Sequence, residues 1–182
     1  MSLLTDALVN LDSQYWLTLE VRRRIETETL KADPLAMHHV AVASFERVWP
    51  KWTSVWPDRK QPADLVRWSG DYIAGKIDKH TMRVHMGRVV TLGDDLQGPT
   101  EWEPRVAWVA AAVTRVALHG TGVPKYGETD VEVDMEDLDA AALAACVAGN
   151  APFWEPNPQH AAFWKWWLTG PVPEAVEKLQ RD

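Results

Sequence analysis

Between Lys125 and Lys165 the chain has no lysine or arginine. The 39 residues from Tyr126 to Trp164 nevertheless hold eight acids: Glu128, Asp130, Glu132, Asp134, Glu136, Asp137, Asp139 and Glu155. The whole chain carries −7 and this window −8, so the remainder sums to about +1. The acidity is therefore local. A concentrated field of one sign repels itself, but it attracts a basic partner and speeds the encounter. That points to binding of another macromolecule.

Other scarcities narrow the reading. One cysteine, Cys146, excludes an internal disulfide, and no apolar run reaches the 18 or so residues that cross a bilayer. The N-terminus has no apolar segment followed by a small-residue cleavage site, so a reducing cytoplasm is the expected location. A net acidic chain is a poor nucleic-acid binder, because that affinity comes from neutralising phosphates. Arg22, Arg23 and Arg24 are flanked by Glu20, Glu26 and Glu28 and read as a solvated helix face. No glycine-rich phosphate loop, nucleophile elbow or HExxH motif is present. Glu101 and Glu103 would share a side only on a strand, and Cys146 lies among alanines as a small buried residue. No catalytic residue, cofactor or metal is expected.

What the chain has in excess is tryptophan, at 16, 49, 52, 56, 68, 102, 108, 154, 164, 166 and 167. Each ring can bury roughly 150–250 Å², about 4–6 kcal/mol gross. A few anchor a core, leaving others for a binding surface.

Apolar residues recur at helical spacing between Pro and Gly stops, which predicts a single all-helical domain over 1–182, a bundle of about seven helices. The first is expected from about Ser13 to Leu30. Asp33-Pro34 starts a second, with Leu35, His38, Val42, Phe45 and Trp49 as its stripe and Pro50 as its end. Pro62 opens a helix with Leu65, Trp68 and Tyr72 on one face. Asp78 to Leu92 carries Met82, His85, Val89 and Leu92, and Gly93 closes it. Thr100-x-x-Glu103 has the form of a capping box, although Pro104 suits the first helical position and would make Glu103 the cap of a helix to about His119. Thr129 to Asp134 alternates like a short strand before an alanine-rich helix, Met135 to Ala148. Asn157-Pro158 opens the last long helix, His160 to Leu168, and Gly170-Pro171 stops it before a short one from Glu174 to Gln180.

The acidic window admits a solvated surface, a calcium loop or a docking face. Asp130, Glu132 and Asp134 occupy loop positions one, three and five, but Met135 and Ala141 stand where calcium loops need glycine and glutamate. Histidines at 38, 39, 80, 85, 119 and 160 raise a metal site. Adjacent His38 and His39 point about 100° apart on a helix, and 80 and 85 miss the i, i+4 spacing of paired ligands. His38 and His85 fall on apolar stripes, where a hydrogen-bonded core histidine is the commoner outcome. Phe163-Trp-Lys-Trp-Trp-Leu168 makes a helix apolar over more than half its circumference, with Trp164 and Leu168 expected in the core and Trp166 undecided.

These strings carry a resemblance. His160-Ala-Ala-Phe-Trp-Lys-Trp-Trp-Leu-Thr-Gly-Pro-Val-Pro-Glu-Ala175, preceded by the acidic Asp130 to Asp139 stretch and by Ala151-Pro-Phe-Trp-Glu-Pro156, resembles the C-terminal half of an all-helical bacterial immunity family, the fifth numbered one of polymorphic toxin systems. Phe45-Glu-Arg-Val-Trp-Pro50, Trp56-Pro-Asp58 and Ile73-Ala-Gly-Lys-Ile-Asp78 are similar in order and spacing. The resemblance implies a cytoplasmic protein, encoded beside a toxin, that neutralises it by binding and has no catalytic residues. The charge suggests a basic nuclease as the toxin. Asp130, Glu132, Asp134, Glu136, Asp137 and Asp139 would steer the partner, and Trp154 or Trp166 would add apolar contact. No nucleic acid or membrane is expected to bind. The rivals are a metal-dependent helical-bundle enzyme using His38, His85 and a third histidine, and a structural or phage-derived interaction protein without a toxin.

Overall fold

The computed structural model describes residues 3–31, 33–120, 139–179 and 181. They contain nine α-helices and no strand: α1 Leu3–Gln14, α2 Leu19–Ile25 running into a π-helical turn Glu26–Leu30, α3 Pro34–Val55, α4 Gln61–Ile73, α5 Lys79–Asp95, α6 Val106–His119, α7 Ala140–Gly149, α8 Pro158–Thr169 and α9 Pro171–Leu179. None of them is long and apolar enough to cross a membrane.

α6 is the central post. Ten of its residues, among them Val106, Val109, Val113 and Val116, are buried. It packs on α3, α4, α5 and α7. α7 is almost wholly buried because six of its ten residues are alanine. Such short side chains let it pass closely between α3, α6 and α8. α1 lies on α8, and α9 closes against α3 and α8. Side-chain caps mark several starts: Asp33 accepts from Leu35 and Ala36, Asp78 from Thr81, Asp139 from Ala142 and Asn157 from Gln159.

Several boundaries differ from the sequence reading. The helix expected from Ser13 to Leu30 starts only at Leu19, because Tyr15 takes φ 58° and Trp16 turns into the core, and α1, ahead of it, was not anticipated from sequence. α7 begins at Ala140 rather than Met135, because Asp139 is extended (φ −66°, ψ 163°) and caps it. The strand expected at Thr129–Asp134 lies outside the described residues. α9 begins at Pro171 directly after α8, not at Glu174.

Pro50 does not end α3, which continues to Val55. A helix-interior proline costs about 3 kcal/mol. Downstream, Trp52 is fully buried, lies stacked on Trp49 and tilted against Trp56 and donates from Nε1 to the Arg59 carbonyl at 2.7 Å. Burying that ring, about 4–6 kcal/mol gross, outweighs the proline.

Gly93 does not close α5 either. It is a contact: a Cβ there would lie 2.8 Å from Ala107 Cβ and 3.0 Å from the Pro104 carbonyl oxygen. Only a bare Cα lets α5 approach the start of α6 this closely. Gly93→Ala is expected to destabilise by about 1–3 kcal/mol despite alanine's better helix propensity. Urea unfolding midpoints at constant m would measure it, and a midpoint raised by the substitution would contradict the contact.

Candidate partner-binding surface

Asp130, Glu132, Asp134, Glu136 and Asp137 lie outside the described residues. Their flanks are placed. Gly120, at φ 73°, stops α6 with its N–H on the Val116 carbonyl, and Asp139 starts α7.

Asp139 itself is not a surface carboxylate. It is 5% exposed, and its Oδ2 accepts from Arg22 Nε at 2.8 Å. Its Oδ1 accepts from the Ala142 N–H at 2.9 Å. Arg22, expected on a solvated face, is 1% exposed and also donates to the Leu17 carbonyl at 2.6 Å. Its guanidinium lies 5.9 Å from the Trp16 ring centroid and 5.7 Å from that of Trp164. The chain neutralises this acid itself, so Asp139 anchors the end of the acidic segment from inside the core.

Trp154 is the one tryptophan that faces solvent, 62% exposed. The bend that presents it is braced. Asn150 takes the left-handed conformation after α7 and accepts from Lys51 Nζ on α3, while Asn157 Nδ2 donates to the Gly149 carbonyl at 2.9 Å. Phe153 packs edge-on against Trp154, centroids 4.9 Å apart, and leans on Trp16 at 5.8 Å. Glu155 is exposed beside it. Asp139 and the bend that bears Trp154 flank α7 at its two ends, and those helix ends are about 15 Å apart at 1.5 Å per residue. Trp166, by contrast, is half-buried, with Phe163 at 5.3 Å and the Arg47 guanidinium 5.2 Å from its ring.

The histidines are dispersed. His38 Nε2 is 2.7 Å from Ser69 Oγ, and burial followed by the charge of His39 pushes its pKa down to about 4. His85 lies on the Trp68 ring, centroids 4.1 Å apart. His160 is fully buried, 3.1 Å from the Ala151 carbonyl, and fills the space left by Gly149, where a Cβ would meet its ring at 2.4 Å. Burial lowers its pKa, against the opposing pull of that carbonyl and of Glu155. Among the described residues no three His, Cys, Asp or Glu side chains are grouped so as to hold a metal ion.

An open groove of about 570 Å³ at the α5–α6 connection was not anticipated from sequence. Its polar groups are tied to the chain. Trp108 Nε1 donates to Asp94 at 2.8 Å, and Arg105 pairs with Glu101 at 3.1 Å between the Trp102 and Trp108 rings. Thr100 and Glu103 do bond, with Glu103 Oε2 accepting from the Thr100 N–H and hydroxyl, but they close a turn, 102–105, that runs directly into α6, which starts at Val106 with Arg105 rather than Glu103 as its cap.

The family model for Immunity protein Imm5 matches residues 9–174, from within α1 to within α9. The chain belongs to the Imm5 immunity protein family. No curated protein matches it. An all-helical Imm5 chain agrees with the fold that the resemblance implied, and membership makes toxin immunity its role.

Proposed function

We propose that this Imm5 chain protects its cell by binding a cognate toxin directly, with the acidic segment as the electrostatic contact and Trp154 as an apolar anchor. The supporting observation is the segregation of charge: five acids from Asp130 to Asp137 without a base, on a chain that otherwise sums near neutrality. The toxin would present a basic surface, such as a nuclease's substrate cleft, where carboxylates stand in for phosphates. Trp154 on its braced bend is the kind of preordered aromatic that carries binding energy. Trp166 adds only its exposed edge. Binding needs no chemistry from this chain, and its cytoplasmic location follows from the same reading.

The test is affinity for the protein encoded immediately upstream, across a range of salt. The triple reversal Asp130→Lys, Glu132→Lys, Asp134→Lys is expected to weaken binding about tenfold, through slower association, and to flatten the salt dependence. Helical content should stay the same. Unchanged affinity would remove the segment from the interface.

A further inference from the structure

The bend that bears Trp154 is pinched at its neck. Asn157 Nδ2 donates to the Gly149 carbonyl at 2.9 Å, and His160 Nε2, in the first turn of α8, lies 3.1 Å from the Ala151 carbonyl. Both bonds join the start of the bend to its far end, and Trp154 stands midway along the chain between them. Pro152 and Pro156 flank it with fixed φ. A short surface loop closed in this way is ordered before it meets anything, which lowers the cost of binding through its tip.

His160 is the buried member of this neck. A carbonyl only accepts, so the neutral ring carries its proton on Nε2 and leaves a lone pair on Nδ1. Nδ1 is buried and has no hydrogen-bond partner among the described residues. An apolar side chain would avoid that uncompensated atom. What histidine supplies here, and an apolar residue could not, is the bond to Ala151. The chain also makes room for the ring: a Cβ on Gly149 would lie 2.5 Å from Nε2, so only glycine at the end of α7 leaves the imidazole in reach of that carbonyl. The ring stands edge-on to Trp16, centroids 5.2 Å apart, and Trp16 meets Phe153, which packs on Trp154. A second route, through rings, thus joins His160 to the exposed indole.

We propose that His160 is the positioning residue of the Trp154 anchor: its Nε2–H bond to Ala151, with its ring in the space beside Gly149, holds the neck of the bend so that the indole is already in place when a toxin arrives. The inference rests on the reading of Trp154 as an anchor. A histidine that only filled the core would affect the stability of the whole chain and leave the bend as ordered as the rest.

Two measurements on the full chain test this. The first is hydrogen exchange at the amides of Asn150, Ala151 and Glu155, each bonded within this region. In His160→Leu, and in Gly149→Ala, which forces the ring away without altering it, these amides should exchange about tenfold faster over times at which the α6 amides stay protected. The second is affinity for the upstream-encoded protein in a double-mutant cycle with Trp154→Ala. His160→Leu and Gly149→Ala should each weaken binding about tenfold in the wild-type background and less than about twofold in the Trp154→Ala background. His160→Gln, which can still donate to Ala151, should restore most of the affinity that His160→Leu loses. Bend amides as protected as in the wild type overturn the inference, as does an equal loss of affinity in both backgrounds or a glutamine no better than leucine. If Trp154→Ala weakens binding and His160→Leu does not, the inference alone falls. If Trp154→Ala binds as tightly as the wild type, the anchor reading falls and this inference with it.

Discussion

Replacing Arg22 with methionine is expected to destabilise the protein by about 3–5 kcal/mol, the cost of leaving one member of a buried ion pair alone. Asp139 would keep its helix-capping bond to Ala142 but lose the cation 2.8 Å from its other oxygen. Beside the pair lies a cavity of about 20 Å³, lined by Arg22, Glu26, Asp139 and Trp167 among others. That is room for about one water, too little to hydrate a stranded carboxylate. The packing of the guanidinium against Trp16 and Trp164 would go as well. Asp139→Asn should cost less, since a neutral amide leaves Arg22 with the Leu17 carbonyl and keeps an oxygen for the cap. The double variant Arg22→Met/Asp139→Asn should be more stable than Arg22→Met alone, because the group at 139 is then no longer a buried carboxylate without its cation. Urea unfolding of the cycle measures this, and two additive losses would show that the pair is not coupled.

The positions of Arg22 and Asp139 show where sequence reading stopped. Arg22 stands in a run of three arginines with acids on both sides, the pattern of a solvated helix. What buries it is a partner 117 residues away, which no local pattern reports. Asp139 is the last of a string of acids, and nothing in the string says that it turns inward. Local rules held at three helix starts: Asp33-Pro34, Asp78 and Asn157 begin helices as expected because each cap bonds within three residues. They failed at Pro50 and Gly93, where tertiary contacts of Trp52 and Ala107 outweigh intrinsic propensity. Of the candidate site, the excess of tryptophan was legible, but not which ring stays outside: only Trp154 sits on a bend that the core does not cover.

Acid should weaken the fold before its carboxylates titrate, and His38 is the reason. Ser69 Oγ donates its single proton to the Val66 carbonyl at 2.6 Å, so it can only accept from His38. The neutral imidazole therefore carries its proton on Nε2. A second proton must enter a buried ring next to His39, and burial, then that neighbour, lowers the pKa from 6.5 to about 4. The folded-state value is the depressed one. Between about pH 6.5 and 4 the unfolded chain binds a proton that the folded chain refuses, so stability rises with pH across this window. It is fully present above pH 6.5 and lost as pH falls to about 4, where the loss levels off. At 1.36 kcal/mol per pKa unit the whole span amounts to about 3 kcal/mol. His160, whose pKa burial also lowers, adds a loss of the same sign. His38→Gln can still donate to Ser69 but cannot titrate, so its unfolding free energy should vary much less over the same window. If the wild type and His38→Gln lost stability in parallel from neutral pH to pH 4.5, the buried imidazole would not be the group that responds.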